Sequence, residues 1–174
     1  MKKIVFLGLA ALLALTACTS EESNDMEAIT DAATRATEAI VTEAAPLAEA
    51  LGADGPWIII TTDNITAESD LVVAGEVPDN QGNVRRKLAF YAQDADRNIT
   101  ERYTVTAPRL IIRHANTRLQ GGVLAGDVYV EAPGFNTIDA TIDGNLYFAD
   151  EALQESASID EASEVTGSTG IGTL

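Results

Sequence analysis

The sequence predicts a mainly β protein, a β-solenoid with coils of about 18–20 residues, preceded by an N-terminal α-helix and a signal peptide. Three observations lead there. A short apolar leader, Ile4 to Leu15, stands just ahead of Cys18. An Ala-rich stretch between Met26 and Leu51 places its apolar residues at helical spacing. From Trp57 onward β-branched runs recur, and two of them match residue class for residue class at a shift of 18.

Residues 1–17 come first. Lys2 and Lys3 precede the apolar run, and small residues follow it, which is the build of a secretory signal. A membrane span needs about 20 apolar residues, and this run is too short for one. Cys18 directly after Leu15-Thr16-Ala17 makes the segment resemble a bacterial lipoprotein signal, in which that Cys is acylated and becomes the first mature residue. The resemblance implies an extracytoplasmic protein, anchored to the cell membrane through lipidated Cys18. Thr19 rather than Asp after the Cys implies the outer membrane where the cell has two membranes. One acyl chain holds a protein only marginally, at about 0.8 kcal/mol per buried CH₂, so two or three chains are needed for a stable anchor. Cys18 is the sole Cys, so the chain forms no internal disulfide.

Residues 18–25 read as the lipidated Cys and a flexible polar tether. Residues 26–52 read as an amphipathic Ala-rich helix, with Ile29, Ala33, Ala36, Ile40, Ala44, Leu47 and Leu51 on one stripe. Gly52 is its stop, and Pro46 kinks or splits it. A stripe this rich in Ala serves as a spacer, with an oligomerising helix as the alternative.

Residues 56–102 read as a β-rich N-terminal part or cap. Trp57 to Thr62 and Leu71 to Val73 are strand-forming runs, and Pro78 to Asn83 is dense in turn residues. Val84 to Tyr91 carries the basic trio Arg85, Arg86 and Lys87. Such a trio reads as a solvated strand face or as edge protection, with a ligand site as the alternative. Asp94 to Asn98 is a further turn.

Residues 103–167 carry the repeats. Val123 to Val130 matches Thr141 to Phe148 at a shift of 18, with Gly126 on Gly144, Asp127 on Asn145 and Tyr129 on Tyr147. The same shift backwards reaches Val105 to Ile112, where Pro108 replaces Gly. Ile65-Thr66-Ala67 with Leu71-Val72-Val73 echoes Val105-Thr106-Ala107 with Leu110-Ile111-Ile112. Asn116-Thr117 and Asn136-Thr137 give another echo at a shift of 20, and Ser158 to Gly167 continues the series. One coil cannot bury its inward row alone, so coils stack at about 4.8 Å and complete a shared core. In that stack Gly126 and Gly144 lie above one another at a bend, with Asp127 and Asn145 beside them as turn formers. Val128 and Val130 point inward, and Tyr129 and Tyr147 form an outward aromatic ladder. The competing reading is an antiparallel sandwich. Residues 168–174 read as a polar tail.

The pattern Leu119 to Val130 followed by Ala140 to Phe148 resembles the polymer-forming cytoskeletal proteins, or bactofilins, whose hydrophobic coils are punctuated by Gly-Asp or Gly-Asn and then an apolar residue. The resemblance implies a right-handed β-helix that polymerises through its ends without nucleotide. Bactofilins are mostly cytoplasmic and this chain carries an export signal, so the fold transfers more readily than the cytoskeletal role.

The net charge of −16 argues against nucleic acid and against anionic lipid headgroups as partners. His114 is the sole His, which excludes a multi-His zinc site, and it reads as a surface or bend residue. No Gly-x-Ser-x-Gly elbow, phosphate loop or dinucleotide fingerprint is present, so no cofactor and no catalytic residue are expected. The expectation is a non-enzymatic, lipid-anchored cell-envelope protein with a structural or self-assembling role. The alternatives are a polysaccharide-binding module using the Tyr129 and Tyr147 face, and a carbohydrate-active enzyme using Asp127, Asp139 and Asp143. Two such carboxylates act on glycosides when about 5–9 Å apart.

Overall fold

A computed structural model describes residues 37–174. The protein is mainly β, and its two large sheets are wholly parallel. The chain rises in passes. It starts with strand β1 (Glu38–Val41) and helix α1 (Ala44–Leu51). One pass follows with β2 (Ile58–Thr61), β3 (Ile65–Thr66) and β4 (Leu71–Val73). The next holds β5 (Arg86–Ala89), a hairpin of β6 (Tyr91–Gln93) and β7 (Ile99–Arg102), and β8 (Thr104–Ile112). Above it lie β9 (Thr117–Gln120) and β10 (Val123–Val130). Then come β11 (Asn136–Ile138), β12 (Thr141–Asp143), β13 (Leu146–Phe148) and helix α2 (Glu151–Ser156). The last pass is β14 (Ser158–Ile159), β15 (Glu164–Val165) and β16 (Thr169–Ile171).

The first sheet runs β1-β2-β5-β9-β11-β14. The second stacks β3 and β4, then β8, β10, β12 with β13, and β15 with β16. The inward side chains therefore form columns. Ile65, Val105, Leu124, Ile142 and Val165 make one, and Val73, Ile112, Val130, Phe148 and Ile171 another. Alternation along each strand sends every second residue into this core.

The repeat register follows directly. Val128, Tyr129 and Val130 pair with Leu146, Tyr147 and Phe148 at a shift of 18. Ile65 pairs with Val105 and Leu71 with Leu110, across the longer spacing of the earlier echo. In the first half of β10 the shift is 19, so Val123 faces Thr104 and not Val105. The register slips between Ala125 and Asp127, where Ala107 and Pro108 together oppose Gly126. A bulge is where a strand tolerates Pro, which has no N–H for the ladder. The echo at a shift of 20 is not a register, because Asn136 pairs with Arg118 and Thr137 with Leu119.

Three sequence-based boundaries differ from the structure. The helix expected over 26–52 is confined, among the described residues, to Ala44–Leu51, while Glu38–Val41 is a strand paired with β2. Ile40 and Val41 are β-branched, and the edge of the Ile58 to Thr61 strand offers them a ladder. Pro46 lies in the first turn of α1, where no intrahelical N–H is required. Residues 56–102 are not a separate cap, since their strands belong to the same two sheets as the repeats. The β6–β7 hairpin and the 76–85 loop stretch their spacing and mask the period. The expected polar tail contributes a strand, Thr169–Ile171, paired with β13.

Candidate functional site

The two ends of the stack differ. At the first end α1 packs on β1, β2 and β4 and buries Leu47, Ala50 and Leu51 over the core. Ala74 N–H donates to Leu51 O at 3.0 Å and ties the helix down. At the other end helix α2 reaches only β13 and β16, and apolar residues of the last pass stay exposed. Ile159 continues the inward column of Leu119 and Thr137 yet is 40% exposed, and Ile171 continues that of Val130 and Phe148 yet is 53% exposed. The outer edges of β14, β15 and β16 have no ladder partner among the described residues. An apolar row beside an unpaired strand edge is a template for further strands.

The turn ladder lies on the second sheet. Asp127 Oδ1 accepts from Asn145 N–H and from Asn145 Nδ2, and Asn145 Oδ1 accepts from Ser168 N–H. Beside it the glycines touch carbonyls of the pass below. A Cβ on Gly126 would lie 2.0 Å from Ala107 O, and one on Gly144 would lie 2.2 Å from Gly126 O. Gly126 also has a φ of 148°, which L side chains rarely adopt. The Tyr129 and Tyr147 rings are half-buried, with centroids 5.1 Å apart and a tilt of 42°. Tilted aromatic pairs at this distance attract each other. Cys18 lies outside the described residues.

The carboxylates named above are each engaged separately. Asp139 pairs with Arg102 at 2.6 Å, Asp143 accepts from Thr166 Oγ1 at 2.9 Å, and Asp127 serves the turn ladder. Among the described residues no group of three or more His, Cys, Asp or Glu is placed to hold a metal ion. None of their helices is long and apolar enough to cross a membrane.

His114 is at a bend, as the register indicated, but it is fully buried and not on the surface. Its Nε2 accepts from Val77 N–H at 2.9 Å, and its Nδ1 lies 2.7 Å from Ala115 O. These partners fix a neutral ring with the proton on Nδ1. Burial pushes its pKa below the ordinary value, and the charge of Arg86 adds to this against the pull of Ala115 O.

The basic trio splits by strand alternation. Arg86 turns inward and is buried, and its guanidinium donates to the carbonyls of Leu51, Gly52, Gly55, Pro56 and Ala74 at 2.7–3.1 Å. It thus joins α1, the following loop and the end of β4 to β5. Lys87 turns outward and pairs in register with Arg118 of β9. Arg85 stacks over Trp57 at 5.0 Å and bonds to Asp79 at 2.5 Å. Burial pushes Asp79 up, but the bonds from Asn83 and Gln81 together with Arg85 leave its carboxyl below the ordinary value. Sequence reasoning missed the partnership of Trp57 and Arg118 with this trio, because only the sheet register unites them.

No protein-family model matches the chain, and no curated protein or solved structure matches it.

Proposed function

We propose that this chain is a lipid-anchored, non-enzymatic envelope protein whose described part is a right-handed β-solenoid that self-associates through its C-terminal pass. The carrying observation is the asymmetry of the stack: Leu47 and Leu51 are buried at one end, and Ile159 and Ile171 are exposed at the other. Parallel strands joined by crossovers are right-handed in about 98% of cases, which supports the handedness. Signal-like residues Leu15 to Cys18 support the anchor and an extracytoplasmic address. The Gly-Asp and Gly-Asn punctuation supports a bactofilin-like, polymer-forming role. Open ends meeting one another form the first contact, and further growth requires the first end to take part.

Sedimentation velocity of the chain lacking residues 1–18, across a concentration series, tests the reading, with negative-stain microscopy at the highest concentration. Mass rising with concentration, or filaments, is the expected result. A uniform monomer throughout overturns it.

A further inference from the structure

The outward face of the first sheet carries a positive island on a strongly acidic protein. Lys87 and Arg118 are nearest neighbours across β5 and β9, so two like charges sit in direct register. Like charges directly opposite one another destabilise a sheet. Edge protection does not account for them, because β5 and β9 are interior strands of the first sheet. Neither residue has a carboxylate at ion-pair distance among the described residues, whereas Arg85, Arg102, Arg109 and Arg113 each have one.

Arg118 is exposed and Lys87 half-buried, and each has donors beyond those it uses within the protein. Arg118 donates through Nε to Asn136 Oδ1 at 2.8 Å, which holds the guanidinium in place and leaves its outer N–H groups for another acceptor. Lys87 Nζ donates to Tyr91 Oη at 2.9 Å and sits 5.3 Å from the Tyr91 ring centroid, so its amine too is held in position. Between them lies a cavity of about 230 Å³ walled by Trp57, Arg85 and Asn136. The Trp57 indole N–H in this wall is buried and has no acceptor.

The cavity is smaller than the roughly 300 Å³ at which pockets for whole drug-sized ligands begin, and it is open. It suits one unit of a longer molecule. The column Ile58, Lys87, Arg118, Asn136, Ser158 continues polar groups past the cavity along the stack at strand spacing, about 4.8 Å. A planar guanidinium fork matches a carboxylate in two parallel hydrogen bonds. Duplex nucleic acid, with one negative charge about every 1.7 Å, asks for more cations than this two-residue island offers on an acidic surface, whereas a uronate chain brings one carboxylate per sugar. We propose that this cleft binds a carboxylated polysaccharide, seating one uronate unit between Lys87 and Arg118.

Polygalacturonate binding to the full chain in detergent tests this by calorimetry, with neutral dextran, galacturonate monomer and inorganic phosphate as comparison ligands. The proposal expects binding that weakens with salt, no binding of dextran, and weaker binding of the two small anions. Lys87→Gln and Arg118→Gln should each weaken it at least about tenfold without lowering the melting temperature, since each relieves the like-charge pair. Arg113→Gln, which removes a cation just past β8 that is paired with Glu131, should leave it intact. Absence of binding overturns the proposal. So does an equal loss in Arg113→Gln, which marks bulk electrostatics, or full competition by phosphate at the monomer's affinity, which marks a small-anion site. Retained binding in both Gln variants would move the glycan to another surface and overturn it as well.

Discussion

Asn145 lies one pass above Asp127 and gives both its backbone N–H, at 2.8 Å, and its side-chain amide, at 2.9 Å, to the same oxygen of that carboxylate. Asn145 then accepts from Ser168 in the pass above, so the side chains of one corner are chained through three levels. Removing the lowest rung leaves a partly buried N–H without its acceptor. Asp127→Ala should therefore lower stability by about 1–3 kcal/mol, read as a shift of the urea midpoint at constant slope. An unchanged midpoint would mean that water replaces the carboxylate without cost.

Thr137 stands in the inward column between Leu119 and Ile159 and is buried, and its hydroxyl has no hydrogen-bond partner. A buried unpaired hydroxyl costs about 1–3 kcal/mol. Thr137→Val keeps the branched shape and exchanges the hydroxyl for a methyl. Its melting temperature should rise. A fall would indicate that the hydroxyl holds a buried water needed by the column.

Arg86 donates to five carbonyls that belong to three segments. Hydrogen bonds from a charged donor contribute about 1.5–3 kcal/mol each, and their sum is not additive. Arg86→Met should cost more than about 3 kcal/mol and loosen α1 first, visible as faster amide exchange over Leu47 to Leu51. Arg86→Lys should recover only part, because an ammonium has three donors and no planar fork. Full recovery by Lys would show that charge alone matters at this position.

The alternation and the period explain which parts were legible in the sequence. Tyr129 over Tyr147, and Leu71 over Leu110, follow from matching residue classes at matching spacing, because stacked columns demand the same class at each level. The bulge at Ala107-Pro108 was not legible, since one extra residue leaves the apolar class pattern nearly intact while shifting every partner by one. Glu38–Val41 carries a helical signal in the sequence because Ile40, Ala44, Leu47 and Leu51 keep helical spacing across a strand–helix boundary. The burial of His114 was hidden because its partners, Val77 and Ala115, are backbone groups that carry no sequence signal. Arg118 joined the basic trio through ladder register alone, over a separation lengthened by the β6–β7 hairpin.

Ile171 and Ile159 are inward-row residues left without a level above them. If the open pass is the association surface, a charge there removes both apolar contact and strand pairing. Ile171→Lys should leave the melting temperature within a few degrees and abolish the rise of mass with concentration. Ile40→Lys, at an exposed outward position of β1 on the first end, is the matched control and should leave the initial contact between open ends unchanged. Association that survives Ile171→Lys but is lost in Ile40→Lys would move the contact to the first end.

His114 gives the protein a pH dependence of known sign. The ring is neutral in the folded state, with Nε2 accepting from Val77, and burial holds its pKa below 6.5. Below about pH 6.5 the unfolded chain therefore binds a proton that the folded chain resists. Stability is full above that pH, declines as pH falls by at most about 1.4 kcal/mol per unit, and levels off once the folded-state pKa is passed. No other His titrates in this window, since His114 is the sole one in the chain. Asp79, held below the ordinary carboxyl value chiefly by bonds from Asn83 and Gln81 against its own burial, adds a separate loss at lower pH, below about 4. Urea midpoints between pH 8 and pH 5 should trace the first decline. His114→Gln keeps an acceptor for Val77 N–H and removes the titrating ring, so its stability should be nearly flat over the same range. An identical slope in that variant would assign the acid sensitivity to the carboxylates and not to His114.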